Sequence, residues 1–221
     1  MESRPEAGAH ELLYVRATSR ASRMGPLVVL GLLAARRGDR DAAWRLLDEA
    51  RDHVRDARVL DYDGVIAAAR GEAHLLEDDI DRVETDVRPA FEEALRVRDE
   101  EFLSSLTLVL WRAGLLTHAP DGISTTARLS ISGRHREAST GWLSQGFPYH
   151  AAWALLDSDD EVDLREARAM FDRLGVSVLV DRTDAKLRTI GAKVPRGARA
   201  STRARRGICS PCRPSGKPVP S

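Results

Sequence analysis

The amino-acid sequence predicts an all-α fold, an α-solenoid of about ten helices followed by a disordered basic C-terminal tail. Three observations predict this fold. Apolar residues recur at spacings of three and four along the chain, glycines or capping residues close the periodic segments, and the joints between segments are short. The helical segments show no strict alternation of apolar and polar residues, so no half-buried strand is expected there.

The first half of the chain consists of predicted helices joined by short turns. Residues 26–37 are apolar and alanine-rich and end at Gly38, and Asp39 is placed to cap the segment that follows. That segment has a helical repeat of apolar residues at Ala42, Ala43, Leu46, Leu47 and Ala50. The remaining predicted helices of this half are 59–76, 80–97 and 100–113.

The second half begins with a weaker pattern at 115–132, which contains a loop at 118–122. Helices are then predicted at 125–131, 134–145, 148–156, 161–174 and 176–190. Helices paired at about 35 to 40 residues are typical of a solenoid of the tetratricopeptide kind. We therefore expect an N-terminal helix or lead-in at 1–23, a helical-repeat domain at 24–191 and a disordered tail at 192–221.

Charge is distributed unevenly although the formal net charge is zero. Residues 193–221 hold 8 basic and no acidic residues, so residues 1–192 hold 26 basic and 34 acidic ones. An acidic body repels DNA phosphates, whereas a basic tail contacts phosphates or the acidic body without sequence selectivity. The apolar run at 26–35 is too short to span a bilayer, and the acidic N-terminus does not fit a signal peptide, which predicts a cytoplasmic protein.

Short runs in the last third of the chain carry a resemblance to a known family. They read GFPYHAAWAL at 146–155, LREA at 164–167, FDRLG at 171–175, KLR at 186–188 and VPRG at 194–197. Together they resemble the end of the sensor region in large LuxR-type transcriptional regulators, which are similar to the maltose regulator. Looser matches are AARRGD at 34–39, LLDEA at 46–50 and LWRAG at 110–114, so the resemblance covers residues 25–204.

In that family a P-loop ATPase precedes the repeats, and a helix-turn-helix domain follows the VPRG hinge. This sequence has no G-x-x-x-x-G-K-[ST] motif, and it departs from the family pattern after Ala204. The resemblance therefore implies a non-catalytic sensor or interaction module that lacks the ATPase and DNA-binding domains. The alternative is a functional transcriptional regulator that acts on DNA through its basic tail or through a partner. The departure near Arg205 also motivates the hypothesis of a frameshifted product.

Partners are expected at the concave face of the solenoid, where repeat proteins bind a protein partner or a small inducer. No segment supplies a recognition helix for the major groove, so sequence-specific binding of nucleic acid by this chain alone is not expected. Membrane association is not expected either. The first helices, at about 7–37, are rich in leucine and valine and predict an uncovered apolar face and self-association.

No catalytic, cofactor, metal or DNA-binding residues are predicted. Cys209 and Cys212 have ligand spacing but no second ligand pair, and the acidic run at 157–161 fits a helix N-cap better than a calcium loop. The scattered histidines are His10, His53, His74, His118, His135 and His150. The tryptophans, predicted to wedge into the core, are Trp44, Trp111, Trp142 and Trp153.

Overall fold

The computed structural model describes residues 24–55 and 60–194, and within these ranges the chain forms α-helices, turns and short joints with no strand. The predicted all-α class is confirmed for this part of the chain. The predicted lead-in at 1–23 and the tail from 195 onward, with Cys209 and Cys212, lie outside the described residues.

Ten helices follow one another in the described part of the chain. They are α1 (24–36), α2 (Arg40–Arg55), α3 (Leu60–Leu76), α4 (Ile80–Val97), α5 (Glu100–Arg112), α6 (Thr125–Ile131), α7 (His135–Ser144), α8 (Pro148–Leu156), α9 (Glu161–Leu174) and α10 (Ser177–Thr189). The bounds of α4, α6, α8 and α9 are those predicted from the sequence, and α1, α5, α7 and α10 differ by one or two residues.

Local side-chain chemistry explains where the helices start and stop. Ser124 accepts a hydrogen bond from the backbone nitrogen of Ala127 at 3.2 Å and so caps α6. Asp160 caps α9 by accepting from the nitrogens of Val162 and Asp163 at 2.8 and 3.1 Å. Gly175 ends α9 with a φ of 70°, a left-handed conformation that glycine adopts without strain. These caps satisfy backbone groups that a helix end leaves unpaired.

Each helix from α2 to α10 packs against the next one in the chain, and α3 also packs against α5. The approach of α3 is close because Gly71 has no side chain. A Cβ at that position would lie 2.4 Å from Val87 Cγ2 on α4 and 2.7 Å from Val109 Cγ1 on α5. Gly71 therefore sets the distance of α3 from both neighbours.

Helix α3 lies at the centre of the described structure. Every residue from 64 to 76 is buried or half-buried, including the charged or ionisable Arg70, Glu72 and His74. A helix that is covered on all sides must find partners for its polar side chains inside the protein. These partners form two clusters of ionisable groups on opposite sides of α3, one around Glu72 and one around Arg70 and His74.

The last described helix makes contacts with the first helices. Ser177 Oγ donates to the carbonyl oxygen of Arg37 at 3.2 Å, directly after α1. Arg182 Nη2 donates to the carbonyl oxygen of Leu75 at 2.8 Å and to Asp78 Oδ1 at 2.7 Å, at the end of α3. These bonds join segments that are more than 100 residues apart in the chain.

The tryptophans and the first helix only partly follow the sequence predictions. Trp153 is buried in the core at 3% exposure, whereas Trp44, Trp111 and Trp142 are half-buried. On α1, the apolar side chains of Val29, Leu30 and Leu33 are exposed. The core-wedge interpretation therefore fits Trp153 and is incomplete for the other three.

Candidate functional site

A central cavity of about 480 Å³ lies among α1, α3, α5, α7 and α8, with Ser124 at the start of α6. Its wall is mostly apolar. The apolar side chains are Val28, Leu32, Val65, Ala68, Ala69, Leu75, Phe102, Leu108, Val109, Trp142, Phe147 and Trp153. A volume of this size and an apolar wall with few polar groups are typical of small-molecule sites.

One charged cluster on the cavity wall joins three helices. Arg36 of α1 donates from Nε and Nη2 to the two carboxylate oxygens of Glu72 on α3, at 2.7 and 3.1 Å. The Tyr149 hydroxyl of α8 donates to Glu72 Oε1 at 2.8 Å, and the Arg36 guanidinium carbon lies 3.6 Å above the Tyr149 ring. Burial and the neighbouring Glu72 charge hold the pKa of Tyr149 well above its ordinary value, so the hydroxyl remains a donor.

A second ion pair borders the same cavity. Arg112, at the end of α5, donates from Nη2 to Asp157 Oδ2 at 2.9 Å and from Nε to the same oxygen at 3.1 Å. The Arg112 guanidinium carbon lies 4.5 Å from the centre of the Trp153 ring. Both side chains of the pair are about one-tenth exposed. This pair fixes the end of α8 against the end of α5.

Aromatic rings form the edge of the cavity at the joint between α7 and α8. The ring centroids of Trp142 and His150 are 5.1 Å apart, and Phe147 lies 6.0 Å from each of them in an edge-on arrangement. Trp142 Nε1 and His150 Nδ1 are both buried and have no hydrogen-bond partner among the described residues. Buried polar atoms without partners are costly, and His74 Nδ1, Thr107 Oγ1 and His135 Nδ1 are further examples among the described residues.

The charge state of His150 follows from its surroundings. Burial lowers its pKa to about 4, and Arg112 and Arg36 add to this effect while Glu72 opposes it. The imidazole is therefore neutral at neutral pH, with one nitrogen that donates and one that accepts. The charged groups of the site are therefore two ion pairs, Arg36–Glu72 and Arg112–Asp157, each with its guanidinium beside an aromatic ring. The Tyr149 phenol and the His150 imidazole are both uncharged at neutral pH.

A second cavity of about 480 Å³ lies on another side of α3, against α2, α4 and the start of α5. Arg70 on its wall is 6% exposed and lies between two carboxylates, at 2.6 Å from Asp48 and 2.8 Å from Asp86. His74 Nε2 lies 3.1 Å from the same Asp86 oxygen. Burial raises the pKa of Asp63, which also lines this cavity.

The acidic run at 157–161 and the histidines, which were weighed as possible metal sites in the sequence, do not come together in the structure. Of the acidic run, Asp160 caps α9 as predicted, and Asp157 pairs with Arg112. The described histidines 53, 74, 118, 135 and 150 do not join a group of three or more side chains that could hold a metal among the described residues. His10 lies outside the described residues.

The wall of the central cavity is not indicated by any motif in the sequence. Its key pairs are separated by 36, 45 and 77 residues in the chain, so no spacing motif links them. Tyr149 and His150 fall in a run quoted for the family resemblance, but with no role assigned. Trp142 was predicted only as a core residue.

Within the described residues, none of the helices has both the length and the apolar character needed to cross a membrane. No protein-family model, curated protein or solved structure matches the chain.

Proposed function

We propose that the chain is a non-catalytic helical sensor or interaction module that binds a small ligand in the central cavity. The observation that carries this proposal is the construction of the cavity. Its wall combines residues of α1, α3, α5, α7 and α8. A ligand held there contacts helices from both halves of the chain at once, so its binding energy depends on their relative positions.

The architecture proposed for the module is a helical-repeat solenoid. Two packing observations support it. Each helix from α2 to α9 packs against the next one in the chain, and α3 packs against α5, as alternate helices do in a stack. The central cavity then corresponds to the concave face. The bonds from α10 to the ends of α1 and α3 are an addition to the nearest-neighbour pattern.

The proposed biological role is that of the sensor region of a LuxR-type regulator, acting in the cytoplasm. The runs that carry the family resemblance also supply part of the polar wall of the cavity. Arg36 comes from the run at 34–39, Arg112 from the run at 110–114 and His150 from the run at 146–155. The last run also holds Tyr149, which donates to Glu72 on the wall. This coincidence supports a common role for these runs in ligand binding.

Protein partners form a second part of the proposal. The exposed Val29, Leu30 and Leu33 on α1 support self-association through the N-terminal helices, because clustered apolar side chains on a surface are commonly covered by another protein. We therefore predict self-association through α1 in addition to ligand binding in the central cavity.

The ligand site is tested by filling the cavity. Ser105 lines the cavity and is exposed, so Ser105→Trp adds bulk to the wall without opening the core. The matched control is Ser144→Trp, which changes an exposed serine of α7 that does not line the cavity. Binding of neutral, acidic and basic aromatic fragments to the full chain is measured by ligand-observed NMR.

We expect fragments that bind the wild type to lose at least ten-fold in affinity with Ser105→Trp and to be unaffected by Ser144→Trp. Both variants should keep the wild-type circular dichroism spectrum, because each side chain starts from an exposed position. Fragment binding that survives Ser105→Trp, or a complete lack of binding to the wild type, would contradict a ligand site in this cavity.

A further inference from the structure

We propose that the basic tail of this chain, residues 195–221, docks on the acidic side of its own helical body, at the second cavity between α2, α3, α4 and the start of α5. Such docking is independent of ligand binding in the central cavity. It follows from the opposite charges of the tail and the first helices, from the chemistry of the second cavity, and from the position at which the chain leaves the body.

The acidic residues of the body are concentrated in its first helices. Residues 39–101 hold 20 acidic and 10 basic residues, whereas residues 102–192 hold 11 acidic and 10 basic ones. The tail at 195–221 holds 7 basic residues and no acidic one. Because opposite charges on one chain attract each other at a high effective concentration, the tail is drawn to the first helices rather than to α6–α10.

The wall of the second cavity carries more acidic than basic side chains. The acidic residues are Asp63, Asp86, Glu93 and Asp99, and the basic residues are Arg51 and Arg70. Both arginines already bond to Asp48, and Arg70 also bonds to Asp86. Asp63 is exposed, and partial burial raises its pKa with no opposing contribution from a described cation. The carboxylate of Asp63 is therefore open to a cation from outside the described residues.

Apolar side chains make up much of the same wall. They are Ile66, Ala67, Pro89, Ala90, Ala94, Val97 and Phe102. Val97 is 48% exposed, so a segment that covers it removes apolar surface from water. An arginine side chain suits such a wall, because its methylene groups cover apolar surface while its guanidinium forms paired hydrogen bonds with a carboxylate. Five of the basic residues of the tail are arginines between positions 196 and 206.

The tail starts close enough to reach this cavity. Helix α5 has Phe102 of its first turn on the second cavity, and it ends at Arg112, which pairs with Asp157 at the end of α8. The chain leaves the body beside the start of α9, where Arg165 donates to the carbonyl oxygen of Lys193 at 3.0 Å. The gap is therefore about the length of α5 and one joint, roughly 30 Å. A stretch of about 12 residues of extended chain spans about 40 Å.

The test uses the two cysteines of the chain, Cys209 and Cys212, which both lie in the tail. A nitroxide spin label is attached to Cys209 in the full-length Cys212→Ser variant, and paramagnetic broadening of the backbone amide signals is measured by NMR at low salt. We expect the signals of Asp63, Ala67 and Glu93 to lose at least half of their intensity relative to the reduced label. The signals of α7 and α9 should keep theirs.

Charge reversal on the body tests the acidic wall. Asp63→Lys with Glu93→Lys in one chain should abolish the broadening, because both side chains line the cavity and the tail then meets two added cations. The matched control is Asp172→Lys with Asp181→Lys, which makes the same charge change at exposed positions of α9 and α10 and should leave the broadening in place. Circular dichroism checks the fold of both variants.

Neutralisation of the tail leaves the helical body as it is, so the test stays decisive even where the body variant fails to fold. Arg199→Gln, Arg203→Gln, Arg205→Gln and Arg206→Gln together should reduce the broadening at least two-fold. Sodium chloride at about 1 M should do the same in the spin-labelled parent, since it shortens the screening length from about 10 Å at low salt to about 3 Å.

A mixed sample identifies which tail is bound. It contains isotope-labelled chain with both cysteines replaced by serine and unlabelled chain that carries the spin label. Broadening in this sample comes from the tail of a second copy and would overturn docking on the same body. Docking at the second cavity is also overturned by broadening that is absent, that lies elsewhere, or that persists after neutralisation of the tail. None of these outcomes bears on the Ser105→Trp test of the central cavity.

Discussion

The two cavities beside α3 have similar volumes and different chemistry. The central cavity has paired charges, an apolar wall and two buried ring nitrogens without partners among the described residues. The second cavity has a wall on which Arg70 and Asp86 are tied into a network with Asp48 and His74. Helix α3 supplies residues to both cavities: Glu72 to the charged cluster of the central cavity, and Arg70 and His74 to the network of the second.

The difference teaches that volume alone does not identify a ligand site. In the second cavity the Arg70 guanidinium has two carboxylate partners, Asp48 and Asp86, and His74 Nδ1 in the same network is buried without a hydrogen-bond partner among the described residues. In the central cavity the hydrogen-bonding capacity of Trp142 and His150 is left over. What distinguishes the central cavity is that its wall joins helices from both halves of the chain, α1, α3, α5, α7 and α8.

The largest expected effect separates the two charge clusters. Glu72→Ala removes the carboxylate that serves Arg36 and Tyr149, and we expect it to lower the free energy of unfolding by about 4 kcal/mol, because it leaves a largely buried cation without a partner. Asp86→Ala should cost only about 2 kcal/mol, because Arg70 keeps Asp48 at 2.6 Å. Urea unfolding followed by circular dichroism measures both.

The control for these two variants is Glu137→Ala. Glu137 forms an exposed pair with Arg134, for which no measurable change is expected. A larger loss for Asp86→Ala than for Glu72→Ala would reverse the comparison and identify the second cavity as the one that holds the fold together.

The next effect is a dependence of stability on pH. The pKa of His150 is about 4 in the folded protein and near 6.5 when the chain is unfolded, so below pH 6.5 the unfolded state binds the extra proton. Stability linked to His150 is full above pH 6.5 and falls by about 3 kcal/mol as the pH drops to about 4. His150→Gln should remove this part of the loss, measured by urea unfolding across that pH range.

The comparison variant for pH is His118→Gln, which replaces an exposed histidine of the loop after α5. It should follow the wild-type profile. If His150→Gln instead loses stability with acid as steeply as the wild type, then His150 does not titrate in the way that its burial indicates.

The smallest effect concerns the spacing of α3 from its neighbours. Gly71→Ala places a methyl group against Val87 and Val109 and gains helix propensity, so we expect a net loss of about 1 to 2 kcal/mol. Gly25→Ala meets nothing within 4 Å and should be neutral or stabilising by up to about 1 kcal/mol. Thermal unfolding of the two variants checks the sign, and a stabilising Gly71→Ala would show that α3 can move away from α4 and α5.

The sequence predicted the helices well because their ends depend on local chemistry. The capping side chain of Asp160, the proline at the first turn of α8 and the left-handed Gly175 each act within a few residues of the helix end that they define. Such signals can be found in a single sequence. The bounds of α9 follow directly from two of them.

The cavity could not be predicted in the same way. Glu72 lies in an alanine-rich stretch of α3 and looks like any helical glutamate until Arg36 and Tyr149 are brought to it from α1 and α8. The half-burial of Trp142 likewise depends on how α7 and α8 cross. These features arise from the angles between helices, which the spacing of apolar residues does not determine.

The bonds from α10 to the ends of α1 and α3 have a consequence for how the chain unfolds. A linear array that holds only nearest-neighbour contacts can fray from either end, one repeat at a time. Here Ser177 and Arg182 connect the last helix to the first ones, so fraying at either end must break contacts at the other. We therefore expect unfolding to occur in a single cooperative transition, and refolding to be slowed by the closure of loops of more than 100 residues.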